Sequence, residues 1–292
     1  EALSFVAYGL QWQEGDEIII SDEEFPSNRI VWQSLKDQGV KLIEVSLSGD
    51  PEDNLISAIT SKTRLLSISS VQYASGLRIN LEKLGHACKQ NKVLFCVDAI
   101  QSIGACQLDV QKIQADFVMA DGHKWMLGPE GLGLFYTNQE SRDLLSLTQF
   151  GWHMTANPGD YTSKTWEINP TAQKFECGSP NMLAIHALQA SLSLLLTVGL
   201  QEVEKLVVGN TAYLQQLIED SENLKLIRTL TEDRRLGICV FEKPGVDSNL
   251  LYQELMKKKV ICASRGGGVR FSPHFYTSKE TMQKAVDIAD NL

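Results

Sequence analysis

The chain has 292 residues, 43% of them hydrophobic and 22% charged, with a formal net charge of -9. That length accommodates one large domain or two unequal ones, and an acidic balance without a basic run argues against nucleic acid as a partner. No apolar stretch reaches the ~18 residues of a membrane span; the longest candidate, near 188–200, is interrupted by Gln189, Ser191, Ser193 and Thr197.

Cys88, Cys96, Cys106, Cys177, Cys239 and Cys262 are scattered and form no CxxC pair. The pattern suggests neither zinc nor dithiol chemistry, so no metal is expected. Free cysteines inside apolar runs suit a reducing cytoplasm.

The opening, EALSFVAYGLQW, reads as an amphipathic helix already under way, with no capping residue before it. Apolar, β-rich runs follow at 17–20, 40–45, 65–71, 93–98, 117–120 and 133–136, with helical patterns at 28–38, 52–60 and 81–90. Near-continuous apolar strands separated by amphipathic helices predict a mainly parallel sheet covered on both faces. Residues 151–181 are irregular and rich in Trp, Pro and Gly, and a loop of that length usually carries function. Helices over 180–197 and 199–219 then lead into a small α/β layer. Its strands are expected at 224–230, 236–241, 260–263 and 269–272, and its helices at 248–258 and 278–292. The expected division is a large domain over 1–198 and a small C-terminal domain over 199–292.

Asp98 closes the apolar run FCVD, and Lys124 follows FVMAD, where a packed core would normally exclude an amine. In a parallel sheet both converge beyond the carboxyl ends of the strands, where ligands bind. An amine facing a carboxylate across a ligand-sized gap suits pyridoxal phosphate (PLP). The amine holds the cofactor's aldehyde as a Schiff base, and the carboxylate pairs with the pyridinium nitrogen. Plainer readings exist, Lys124 as a solvated edge residue and Asp98 as a helix N-cap, but the pairing favours the cofactor. The GPEGLG turn after Lys124 supplies flexible backbone beside it. Gln101, three residues beyond Asp98, is placed to meet the cofactor's phenolic oxygen.

These blocks resemble aminotransferase class V, a group of fold-type I PLP enzymes. It includes cysteine desulfurases, selenocysteine lyases, kynureninases and isopenicillin-N-epimerase-like proteins. The resemblance rests on the Asp-x-x-Gln of Asp98 and Gln101, the Gly-His-Lys ending at Lys124, GPEGLG, FECGSP at 175–180 and VRFSPHFYTS at 269–278. It spans essentially the whole chain. It implies an α/β fold with a large PLP-binding domain, its mainly parallel sheet between helices, and a small C-terminal α/β domain.

The resemblance further implies that Lys124 carries the Schiff base and shuttles the substrate's α-proton, while Asp98 keeps the pyridine nitrogen protonated. His123 would touch the phosphate, Phe25 would stack on the ring, and Arg270 would clamp the carboxylate of a small amino-acid substrate. Ser179, after Gly178, matches a Gly-Thr pair that reaches the phosphate of a neighbouring subunit, which implies a homodimer with shared sites. For His123 and Phe25 an ordinary packing role stays open. Arg265 is the local rival of Arg270, or a plain surface arginine. Trp152 either lines the site or anchors its loop.

The chain also departs from the family's pattern. Asp121 stands where many members have Ser. An acid there is unfavourable beside a phosphate and is expected to turn away or pair elsewhere. Tyr73 takes the place of a desulfurase Asn. A desulfurase needs a thiolate on a mobile loop, yet Cys262 lies in KKKVICAS, which reads as a strand, with only residues 263 to 269 between it and Arg270. Cys262 is therefore expected to be structural. The family's phosphate-binding turn at a helix N-terminus would lie immediately before Glu1, so the sequence as it stands is expected to bind PLP weakly. The resulting expectation is transamination or epimerisation of a small amino acid. Carbon–sulfur or carbon–selenium lysis is the alternative, and a non-catalytic relative or inactive fragment the third reading.

Overall fold

The computed structural model describes residues 1–292. The chain forms two compact units. The first comprises Glu1–Ser69, Asn80–Ile100 and Asp109–Ser191; the second comprises Ser70–Ile79, Gln101–Leu108 and Leu192–Leu292. Two short connections from the N-terminal half thus belong with the C-terminal unit.

The first unit holds a six-stranded sheet: β1 (Glu17–Ser21), β2 (Lys41–Val45), β3 (Thr63–Ser69), β4 (Leu94–Asp98), β5 (Phe117–Asp121) and β6 (Gly133–Thr137). Their order is β2-β1-β3-β4-β5-β6. All neighbours run parallel except β5 and β6. Ile18, Ile19 and Ile20 are all fully buried, as a strand covered on both faces requires. That burial is why the run shows no polar alternation. The fold class is the one the sequence predicts.

Helices α1 (Ala2–Gly9), α2 (Ser27–Gln33), α3 (Pro51–Ser57), α4 (Leu81–Asn91) and α5 (Gln139–Asp143) accompany this sheet. Val6 and Leu10, Trp32 and Leu35 pack with Ile18, Leu65 and Phe117 into one core. The helix expected over 28–38 stops at Gln33 and gives way to a 3-10 turn over Lys36–Gln38. Gly39 ends that turn in the left-handed region at φ 79°, which glycine adopts without steric cost. In α4, Asn80 accepts a hydrogen bond from the Lys83 amide and so caps the helix. Gly85 is there for space, since a Cβ would come within 1.8 Å of the Ile113 carbonyl oxygen.

α6 (Met182–Val198) crosses the division between units, and the second unit adds α7 (Leu200–Glu219), α8 (Ser248–Lys257) and α9 (Lys279–Asp290). Its sheet is antiparallel, in the order β7 (Lys225–Leu226), β8 (Cys239–Glu242), β10 (Gly268–Phe271), β9 (Ala263–Arg265). Leu214, Leu251, Leu255, Met282 and Val286 from the helices pack against Phe241, Val269 and Phe271. Alternation along β10 therefore sends Arg270 to the opposite face. The strand expected over 260–263 begins only at Ala263, because Lys259 turns left-handed and the Val260 amide closes α8 onto Leu255.

Candidate active site

Parallel register sets Ser69 beside Asp98, and Asp98 beside Met119. The carboxyl ends of β3, β4 and β5 therefore lie in a row. Lys124 comes three residues after Asp121, the last residue of β5, and the turn after β1 carries Glu24 and Phe25. The Lys124 Nζ lies 5.8 Å from the centroid of the Phe25 ring, within reach of a cation–π contact. Phe25 remains 39% exposed, so its ring is open on one side to a ligand. Phe25, Asp98 and Lys124 are thus brought to one edge of one sheet.

Asp98 is only 8% exposed, and its Oδ1 accepts the Ile100 amide at 3.0 Å. Burial pushes its carboxyl up from 3.8 to about 6. The Ile100 hydrogen bond opposes that rise, the Glu24 carboxylate adds to it, the Lys124 ammonium opposes it, and Asp121 adds slightly. Such a carboxyl carries its charge at a cost that a closer cation would relieve. A protonated ring nitrogen is such a cation.

Glu24 is the residue that sequence reasoning missed, treating it only as a flank of Phe25. It is 6% exposed. Its carboxylate accepts from Ser21 Oγ (2.8 Å), Asn28 Nδ2 (2.8 Å), the Ser69 amide (3.0 Å) and Ser69 Oγ (2.5 Å). Asn28, itself fully buried, accepts from Trp32 Nε1 at 3.0 Å and Ser67 Oγ at 2.6 Å. The network ties the turn bearing Phe25 to the start of α2 and the end of β3. Its trace in the sequence is Ser67 and Ser69 alternating within an otherwise apolar strand, and Glu24, Asn28 and Trp32 at four-residue spacing.

His123 keeps a buried Nδ1 with no hydrogen-bond partner, 3.6 Å from Asp121 Oδ2. The Asp121 carboxylate thus lies toward the His123 ring. Ser179 lies exposed in the segment before α6. Trp152 is 44% exposed and lines an open surface cavity of about 860 Å³ with Phe150, Tyr161 and Trp166; none of Phe25, Asp98, His123 and Lys124 lines that cavity.

Gln101 and Arg270 belong to the second unit. Gln101 is 4% exposed. Arg270 donates from Nη1 to the Tyr73 carbonyl oxygen at 2.7 Å, while its buried Nε has no partner. Burial, and then the nearby Arg265 charge, hold the Arg270 guanidinium below its ordinary pKa. A half-buried guanidinium with an unsatisfied donor is suited to an anion. Arg265 is exposed and turns Nη1 onto the Ser264 carbonyl oxygen.

The side chains of the first unit fit pyridoxal phosphate: an amine for its aldehyde (Lys124), a buried acid for its ring nitrogen (Asp98) and an aromatic face (Phe25). His123, with its orphaned Nδ1, fits the phosphate. The family model described as aminotransferase class-V matches residues 1–284. The chain belongs to the aminotransferase class-V family. PLP is the cofactor of this family.

A probable cysteine desulfurase of Pyrococcus abyssi is 29% identical over 316 aligned positions, covering 100% of this chain and 76% of the relative. An uncharacterized aminotransferase of Bacillus subtilis, YcbU, is 28% identical over 288 positions, covering 98% and 75%. Among solved structures, a complex of the cystine C–S lyase C-DES with its product cysteine persulfide superposes with a TM-score of 0.91 at 21% identity, covering 100% of this chain and 79% of that one. This likeness establishes the shared fold.

Proposed function

We propose that this class-V protein is a PLP-dependent carbon–sulfur lyase that acts on cysteine or a disulfide of cysteine. One observation carries the reading: Lys124 stands beside the buried Asp98 in a chain that aligns along its whole length with a probable cysteine desulfurase. The transamination or epimerisation expected from the sequence has less support, because the aminotransferase among these relatives is itself uncharacterized.

PLP, when bound, supplies an electron sink for negative charge at the substrate's α-carbon. Lys124 Nζ holds the cofactor and then takes the α-proton. Asp98 would offset a positive charge at the ring nitrogen, and Phe25 would offer the ring an aromatic surface. In the second unit, Arg270 has a free Nε–H of the kind that suits a carboxylate. The Cβ–S bond breaks with its electron pair leaving on sulfur, and the carbon product departs as 2-aminoacrylate, which water converts to pyruvate and ammonium. A small amino-acid substrate and a homodimer form part of this proposal.

A desulfurase attacks the substrate's sulfur with its own thiolate, whereas elimination needs none. Cys262 is packed against the core of the second unit, and burial pushes its thiol up to about 11. This favours elimination, with a disulfide as the better substrate because a persulfide leaves more readily than a thiolate. The test is incubation of the PLP-loaded protein with cystine or with cysteine. Pyruvate with persulfide from cystine supports the proposal. Alanine with sulfide from cysteine under reducing conditions assigns the protein to the desulfurases, and conversion of the cofactor to its amine form with an amino acid overturns lysis in favour of transamination.

A further inference from the structure

We propose that Glu24 is a positioning residue for the reaction: it ties the Phe25 turn to the end of β3 and sets a second buried negative charge one strand from Asp98, so that the site binds a proton more tightly. The geometry rests on the strand register. Glu24 accepts both the amide and the hydroxyl of Ser69, and Ser69 is the direct neighbour of Asp98 across the parallel pair. Glu24 also accepts from Ser21 and Asn28, so donors from β1, α2 and β3 hold its carboxyl in place.

The charged and titratable groups around Asp98 come from three directions. Glu24 stands on the turn after β1, and Cys96 precedes Asp98 on β4 itself with a buried thiol pushed up by burial. Lys124 and Asp121 come from β5 and the segment after it, with the His123 Nδ1 3.6 Å from Asp121 Oδ2. Among the acids Glu24 contributes most to raising the Asp98 carboxyl. Two negative charges sharing a dry strand end retain one proton longer than a single charge does. On the reading that Asp98 serves the cofactor's ring nitrogen, that retained proton belongs on the ring when PLP is bound.

The pattern separates charge from packing. Glu24→Gln keeps an acceptor for the Ser69 amide but removes the charge, whereas Ser69→Ala removes a hydroxyl and keeps the charge. The experiment is a carbon-13 titration of the Asp98 carboxyl in the full chain, labelled at aspartate and stripped of cofactor, with Asp98→Asn identifying the resonance. The expected midpoint is about 6 in the wild type. It should fall by about one pH unit in Glu24→Gln and stay within a few tenths of a unit in Ser69→Ala. A midpoint unmoved in Glu24→Gln, or moved equally by Ser69→Ala, reduces Glu24 to a structural role and overturns the proposal. If Glu24→Gln does not fold, a wild-type midpoint near 4 still overturns the proposal. The titration involves no substrate, so failure of the lyase reading and failure of this one are seen separately.

Discussion

In the cofactor-free protein, replacing Asp98 by Asn should raise stability at neutral pH, although Asp98 is the acid assigned to the cofactor. Its carboxyl lies at about 6 in the fold against 3.8 ordinarily. A raised carboxyl means that the folded state binds the proton more tightly than the unfolded state, so stability falls as pH rises from about 4 through 6. At 1.36 kcal/mol for each pKa unit, the full difference is about 3 kcal/mol. The introduced amide would carry no such penalty, and its oxygen can still accept the Ile100 N–H. The assay is urea unfolding of both proteins without cofactor between pH 4 and pH 8. Asp98→Asn should match the wild type near pH 4 and exceed it by about 2–3 kcal/mol above pH 7. Addition of PLP should reverse the order, because the wild type then gains a cation against the carboxylate and the variant does not. A variant less stable than the wild type at pH 8 without cofactor would refute the argument that burial dominates at Asp98.

Three further outcomes are expected. Lys124→Ala should remove the visible absorbance that PLP acquires on binding an amine, and borohydride should then fix no cofactor to the chain; a reducible adduct in the variant moves the site elsewhere. Cys262→Ser should change the rate of pyruvate formation from cystine by less than about twofold, since this thiol is pushed up to about 11 and is almost entirely protonated at neutral pH; a thousandfold loss would identify it as a nucleophile. Gly85→Ala should cost at least about 2 kcal/mol in urea unfolding, because its methyl would meet the Ile113 carbonyl oxygen at 1.8 Å; an unaffected midpoint would mean that α4 shifts freely.

Why the sheet could be read and Glu24 could not follows from the range of the interactions. β1 presents three isoleucines in a row because neither face meets water, and the shortness and β-branched content of that run mark it as a strand. The end of such a run is itself informative, so Asp98 and Lys124 were visible as polar groups at strand ends. Glu24 has no comparable local mark. Its decisive partner, Ser69, is 45 residues away, and a glutamate between another glutamate and a phenylalanine reads equally well as a solvated turn. Local breaks were missed for a related reason. α2 ends at Gln33, and a separate 3-10 turn runs on to the left-handed Gly39, while the amphipathic pattern continues past the stop. The short connections Ser70–Ile79 and Gln101–Leu108 group with the C-terminal unit through packing that spacing along the chain does not encode.

The six cysteines bear on the proposed chemistry together. Burial pushes Cys88, Cys106 and Cys239 up to about 12, raises Cys96 and Cys177 as well, and leaves Cys262 at about 11. At pH 7 a thiol of pKa 11 is thiolate in about one molecule in ten thousand. A protein that used such a group to attack sulfur would work with that small ionised fraction alone. Elimination avoids that limit, because Lys124 removes a proton from carbon and the electron pair leaves on the substrate's own sulfur. The advantage is greatest when that sulfur carries a second sulfur able to stabilise the charge. On this reasoning the ratio of turnover on cystine to turnover on cysteine should exceed about ten at pH 7 and widen as pH rises toward 9, where the thiol of cysteine ionises and can no longer leave as hydrosulfide. Equal turnover at pH 7 would show that leaving-group stability does not limit the reaction, and would remove the argument for a disulfide substrate.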